Sequence, residues 1–231
     1  MKNPVFVAID TSDRDRARAI VELVGPSVGG IKLGLEYFAA HGPVGVAEIA
    51  ALGLPLFLDL KLHDIPNTVS KAVAALAPLK PAVLTVHAGG GQAMLEAAKA
   101  AAPAETKVVA VTVLTSLDRG DLVCIGVPSS PETQVVRLTE LAKRSGLDGI
   151  VCSGEEVEAA KDAWPTGFFV VPGVRPGGAA DGDQKRVMTP RDALSAGASI
   201  LVVGRPITAS DDPARAAADI AGTLQLDSAA H

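Results

Sequence analysis

Along the chain, short runs of β-branched and aliphatic residues alternate with longer amphipathic stretches rich in alanine. The first run, Val5 to Ile9, ends at Asp10. Behind it Thr11, Ser12 and Asp13 offer an N-cap and an acidic first turn. Ile20, Val21 and Val24 supply apolar positions, and Gly25 stops the predicted helix. Further strands are predicted at Gly30–Gly34, Pro55–Lys61, Ala82–His87, Lys107–Leu114, Gly149–Cys152, Phe168–Pro172 and Ser199–Gly204. Helices are predicted at about Glu36–Leu52, Asn67–Ala77, Gln92–Ala102, Thr133–Ser145, Glu155–Ala163 and Pro213–Leu226.

Strands followed by helices, at roughly 25–30 residues per unit, are the repeat of an α/β TIM (β/α)8 barrel; on pattern alone an open doubly wound sheet is the alternative. The strand runs are apolar at successive positions, as a parallel sheet buried on both faces requires. No Pro- or Ser-rich linker divides the 231 residues, so one domain is predicted. The tail after about Leu226 is small and polar and is expected to fray. The longest irregular stretch, Gly173 to Arg186, follows the seventh strand and reads as a lid over a site at the C-terminal end of the barrel.

Composition narrows the function classes. Aromatic residues make up only 3% of the chain, too few to build a stacking platform for single-stranded nucleic acid. Lys and Arg number 21 against 26 Asp and Glu, a net charge of −5 that disfavours a polyanion-binding surface, so no nucleic-acid partner is expected. The apolar run near the N-terminus is too short for a signal-peptide core, and nothing approaches a membrane span, so a cytoplasmic protein with no membrane partner is expected. Cys124 and Cys152 read as reduced core thiols.

The chemistry concentrates at the strand ends: Asp10, Lys32, Asp59, Lys61, His87, Thr115, Ser116, Ser153, Arg175, Gly204 and Arg205. Asp59 and Lys61 lie two apart on a strand, so both side chains are expected on the same face. Such charges are costly to bury unless they compensate one another. Asp64 lies just past the strand, where a turn could bring it back to a lysine, and Lys32 could join the array. Two carboxylates near one lysine would hold it as an ammonium, an acid or electrostatic clamp rather than a Schiff-base nucleophile. Arg175 and Gly204-Arg205 follow strands seven and eight, where such barrels often bind phosphate. Gly89-Gly90-Gly91 reads as a turn between strand and helix. His41, His63, His87 and His231 are scattered, His63 is assigned no catalytic role, and no metal-ligand cluster is expected.

Asp59-x-Lys61-x-x-Asp64-Ile65-Pro66-Asn67-Thr68 resembles the signature of the orotidine 5′-phosphate decarboxylases, of the bacterial, short-chain type. So do Val7-Ala8-Ile9-Asp10, Ile31-Lys32-Leu33-Gly34, Val111-Thr112-Val113-Leu114-Thr115-Ser116, Pro172-Gly173-Val174-Arg175-Pro176 and Val202-Val203-Gly204-Arg205-Pro206-Ile207, in family order from about residue 4 to 220. The Asp-x-Lys-x-x-Asp core is shared with a Mg²⁺-dependent sister group, the sugar-phosphate decarboxylases and hexulose-phosphate synthases; Ile65-Pro66-Asn67-Thr68 selects the orotidylate branch. A non-catalytic nucleotide-phosphate binding barrel is the alternative of another class. The resemblance implies decarboxylation of orotidine 5′-monophosphate to uridine 5′-monophosphate without metal or organic cofactor. It implies Lys61 as proton donor to C6, Asp59 beside the substrate carboxylate, Lys32 at the ribose and Asp10 at a ribose hydroxyl. Thr115, or its neighbour Ser116, would address the pyrimidine. Arg175, Gln184, Gly204 and Arg205 would hold lid and phosphate. It also implies a homodimer in which Asp64, Ile65 and Thr68 enter the partner's site.

Overall fold

The computed structural model describes residues 3–175 and 188–225. Eight strands close into a parallel barrel in sequence order: β1 (Val5–Ile9), β2 (Gly30–Gly34), β3 (Leu56–Leu62), β4 (Val83–His87), β5 (Lys107–Val111), β6 (Gly149–Val151), β7 (Phe168–Pro172) and β8 (Ile200–Val203). The last strand pairs with the first, Phe6 opposite Val202, so the sheet has no edge. This is the TIM barrel expected from the alternation, in a single domain.

Period-two alternation divides the apolar residues between two cores. Phe6, Ala8, Phe57, Val83, Val109, Val170, Ile200 and Val202 point inward and fill the barrel. Their neighbours, such as Val7, Leu58, Leu84, Val108 and Leu201, point outward into the layer between strands and helices. The inward set makes an apolar plug beneath the C-terminal rim, and the polar inward residues begin where it stops.

The helices follow from the same spacing. In α1 (Arg14–Val24) Asp13 caps the N-terminus by accepting the Arg16 N–H, and Ala17, Ile20, Val21 and Val24 form the buried stripe. The longer helices α3 (Pro66–Leu76), α4 (Gln92–Ala101), α6 (Pro131–Arg144), α7 (Val157–Ala163) and α10 (Pro213–Gln225) lie close to their predicted positions. Differences appear where apolar periodicity carries no information. Helix α2 (Leu35–Ala50) is broken at Gly42, whose φ of 57° and ψ of −162° interrupt it before Pro43, so the predicted continuous helix is two segments. β5 ends at Val111, three residues short of the predicted Leu114. Short helices α5 (Arg119–Cys124), α8 (Pro190–Ser195) and α9 (Arg205–Thr208) occupy stretches with too few turns for a periodic signal. Gly89 and Gly90 lie in a 3₁₀ turn between β4 and α4, as expected.

The loop after β7 is tied at its base: the Arg175 N–H donates to the Met188 carbonyl at 3.0 Å. Gln184, most of the expected lid and the tail after Leu226 lie outside the described residues. No helix among the described residues is long and apolar enough to cross a membrane. Cys152 is buried as expected, but Cys124 is exposed at the end of α5 and is not a core thiol.

Candidate active site

A cavity of about 520 Å³ opens at the C-terminal end of the barrel, directly above the apolar plug. Its wall carries Asp10, Lys32, Asp59, Lys61, Thr115, Arg175, Gly204 and Arg205, so eight of the predicted site residues meet in one place. Thr115 lies on this wall and Ser116 does not, which separates two neighbours the sequence leaves equivalent.

On one side the charges alternate. The Lys32 Nζ lies 3.2 Å from Asp10 Oδ1 and 3.4 Å from Asp59 Oδ2. The Lys61 Nζ donates to the same Asp59 Oδ2 at 2.7 Å. Neighbouring strands set this order: Ala8 pairs with Lys32, and Gly34 with Asp59. Gly34 also leaves room for the array, since a Cβ there would sit 3.0 Å from the Lys32 Nζ. Burial is greatest in the middle of the row, with side-chain exposures of 11% for Lys32 and 12% for Asp59, and decreases toward its ends, 31% for Lys61 and 56% for Asp10.

Burial by itself would push the Asp59 carboxyl up. The Lys32 and Lys61 charges, with hydrogen bonds from Lys61 and Thr85, more than reverse it and hold the group below the usual carboxylate range. Asp59 is therefore an ionised carboxylate between two lysines, the compensated burial expected of this motif.

Asp59 and Lys61 do meet, but strict strand alternation is not the reason. The β3–β4 register runs from Leu58 opposite Leu84 to Leu62 opposite Val86. Asp59, Leu60 and Lys61 thus stand opposite Thr85 alone, a bulge in β3. Lys61 adopts a left-handed φ of 49°, and its N–H donates to the Thr85 hydroxyl at 2.9 Å. A bulge of this kind re-aims a side chain, here bringing the ammonium back to Asp59.

At the opposite side of the cavity Arg175 is 8% exposed, and its Nε has no hydrogen-bond partner among the described residues. A buried guanidinium N–H without a partner is costly, and an anion in the cavity would satisfy it. Gly204 and Arg205, at the start of α9, complete this end.

Asp64, Ile65 and Thr68 are not part of this constellation. All three are exposed beyond β3, and the Asp64 carboxylate accepts the Ile65 N–H instead of turning back to a lysine. Two features carry no sequence signal. Thr85 is fully buried and donates to Asp59 Oδ1 at 3.0 Å. His63 stacks on His87 with ring centroids 5.1 Å apart, beside the Lys61 bulge. Burial, then the neighbouring His63 and Lys61, keep the His87 imidazole below its usual range. Among the described residues no three His, Cys, Asp or Glu side chains gather as a metal site.

Comparison with known proteins places the chain in a family of this fold. The family model described as orotidine 5′-phosphate decarboxylase / HUMPS family matches residues 3–220. Orotidine 5′-phosphate decarboxylase of Sphingopyxis alaskensis is 63% identical, covering 97% of this chain and all of the relative. The protein of the same name from Erythrobacter litoralis is 60% identical over the same shares. Among solved structures, orotidine 5′-phosphate decarboxylase from Lactobacillus acidophilus superposes with a TM-score of 0.83 at 36% identity, covering 96% of this chain and 99% of that one. By fold and by sequence along nearly its whole length, the chain belongs to the orotidine 5′-phosphate decarboxylase / HUMPS family.

Proposed function

We propose that this chain converts orotidine 5′-monophosphate to uridine 5′-monophosphate and CO2, in pyrimidine nucleotide synthesis, with Lys61 as the proton donor. The carrying observation is the ammonium of Lys61 held 2.7 Å from an ionised Asp59 on the cavity wall, with a buried arginine Nε lacking a partner among the described residues at the other side. The bond from C6 to the substrate carboxylate breaks heterolytically, CO2 leaves, and the electron pair stays on C6. The Lys61 ammonium stabilises that developing charge and then transfers a proton from Nζ to C6, giving the product and a neutral amine that solvent reprotonates. Asp59 faces the departing carboxylate and disfavours the bound carboxylate more than the transition state.

The other residues bind and orient. Lys32 contacts the ribose and Asp10 hydrogen-bonds a ribose hydroxyl, their pairing with each other keeping both in register. Thr115 addresses the pyrimidine. Arg175, Gly204 and Arg205 hold the phosphate, and Gln184 joins them from the lid. Phosphate binding far from C6 is then realised in the transition state. The site is completed in a homodimer by Asp64, Ile65 and Thr68 of the other copy. The exposure of the apolar Ile65, 66% accessible, suits a second chain better than solvent. The reaction needs neither metal nor organic cofactor, and its charged, water-soluble substrate suits the cytoplasm.

The test is the ultraviolet absorbance of orotidine 5′-monophosphate followed with time, with and without EDTA. The wild type is expected to deplete it equally in both, and Lys61→Ala to lose turnover by several orders of magnitude with the fold retained. An unchanging wild-type trace would overturn the activity. Near-wild-type turnover in Lys61→Ala would overturn the mechanism, and loss of activity in EDTA would favour the metal-dependent sister chemistry.

A further inference from the structure

The β3 bulge converges on a residue that the proposed reaction does not use. Thr85 lies at the middle of β4 with its side chain inside the barrel and no solvent exposure. It stands alone opposite Asp59, Leu60 and Lys61, so one residue of β4 answers three of β3. Its hydroxyl makes two hydrogen bonds, to Asp59 Oδ1 at 3.0 Å and from the Lys61 N–H at 2.9 Å.

The direction of each bond is fixed. An ionised carboxylate only accepts and a backbone N–H only donates. The Thr85 hydroxyl therefore gives its one proton to Asp59 and accepts from Lys61. The division of labour at Asp59 follows: Oδ1 is held by Thr85, and Oδ2 remains for both lysines. The same oxygen replaces the ladder partner that the bulge removes from the Lys61 backbone, at a φ of 49° that a side-chain-bearing residue rarely adopts. One hydroxyl thus ties the backbone that carries the ammonium to the carboxylate that receives it.

We propose that Thr85 is a positioning residue for decarboxylation: its hydroxyl sets where the Lys61 ammonium points by fixing the bulge and the Asp59 carboxylate together. The proposal rests on the decarboxylase reading above. A reacting group must be held within about 0.5 Å of its productive place, and such support comes from hydrogen bonds behind the residues that touch substrate. Losing the hydroxyl frees Asp59 to rotate and leaves the Lys61 N–H unpaired, while the phosphate end of the cavity is untouched.

Thr85→Val keeps the shape and removes the hydroxyl, and Thr85→Ser keeps the hydroxyl. Three quantities are read: the single-turnover decarboxylation rate, the Kd for uridine 5′-monophosphate, and the thermal midpoint. Thr85→Val is expected to slow single turnover about tenfold or more, equivalent to about 1.4 kcal/mol of barrier. Its product Kd is expected to stay within about twofold of wild type, and Thr85→Ser to restore most of the rate. If Thr85→Val does not fold, Thr85→Ser against Thr85→Ala carries the test, since both lack the methyl and differ only in the hydroxyl. A Thr85→Val rate within twofold of wild type overturns the proposal. So does a Thr85→Ser rate as slow as Thr85→Ala, or a rate loss matched by an equal loss of product affinity. A wild type that leaves orotidine 5′-monophosphate unchanged defeats the decarboxylase reading instead, so the two failures are distinct.

Discussion

The left-handed backbone of Lys61 is a cost carried at the proposed proton donor, and two substitutions isolate it. Lys61→Ala and Lys61→Gly both delete the ammonium, the 2.7 Å bond to Asp59 and the proposed proton transfer. Those losses are common to the pair and cancel in their difference. What remains is the conformation at φ 49°. A residue with a Cβ sits there at a cost of roughly 1–2 kcal/mol, which glycine avoids. The greater freedom of glycine in the unfolded chain takes back about 0.5–1 kcal/mol. Lys61→Gly should therefore be the more stable variant, by about 0.75 kcal/mol at the middle of these ranges and up to about 1.5 kcal/mol, or a few degrees in thermal midpoint for a domain of this size. Circular dichroism melts at one fixed protein concentration measure it, since dimerisation would make the midpoint concentration-dependent. Lys80, exposed after α3 at the same φ of 49° and far from the cavity, provides the control: Lys80→Gly should exceed Lys80→Ala by a similar margin with turnover intact. Lys61→Ala melting at or above Lys61→Gly would refute the assignment of strain to this residue.

The Asp59 carboxyl is held below its ordinary range in the folded protein, so its contribution to stability is complete above the unfolded value of about 3.9 and is lost as pH falls through the lower, folded value. Melts of the wild type should then fall more steeply than those of Asp59→Asn on the acid side of about pH 4, and parallel curves would contradict the compensated burial. Arg175→Ala should weaken uridine 5′-monophosphate binding by about 10- to 100-fold, the range for hydrogen bonds to a charged group, while leaving uridine binding unchanged; equal losses for both would remove Arg175 from the phosphate. Cofolding Lys61→Ala with Asp64→Asn subunits should regenerate activity that neither variant has alone, because in the proposed dimer a mixed pair holds one complete site. A mixture as inactive as its parts would rule out sharing.

Much of the site is written locally in the chain. Asp10 follows β1, and Arg175, Gly204 and Arg205 follow β7 and β8, as expected. Lys32 and Asp59, expected at strand ends, lie instead at the middles of β2 and β3. Assembling the barrel brings all of them to one cavity. What could not be read is what depends on a tertiary partner. The bulge at Lys61 exists because Thr85, 24 residues away, accepts its N–H, and nothing in the local pattern distinguishes that from regular strand. The pairing of Asp59 with Lys61 is thus reached from period-two spacing through a geometry that violates it. The short helices α5, α8 and α9 are too brief to show periodicity. The break in α2 is carried by Gly42-Pro43, but the apolar spacing runs across it and masks the interruption. Asp64, Ile65 and Thr68 have their positions legible and their contacts not, since their proposed neighbours belong to another chain.

The alternation of Asp10, Lys32, Asp59 and Lys61 also divides the cavity by range. Two carboxylates and two ammonium groups sum to zero, and opposite charges 2.7 to 3.4 Å apart cancel one another's field within a few ångströms. This row acts only on what touches it. Attraction felt through solvent is therefore assigned to Arg175, whose Nε has no hydrogen-bond partner among the described residues, and such attraction is screened over about 10 Å at 0.1 M salt. Rising ionic strength should accordingly depress kcat/KM, which includes capture of the anion, and leave kcat of the bound molecule level. On the proposed mechanism recruitment is expected to respond to salt and chemistry not to, because the charges assigned to the chemistry are already neutralised in place.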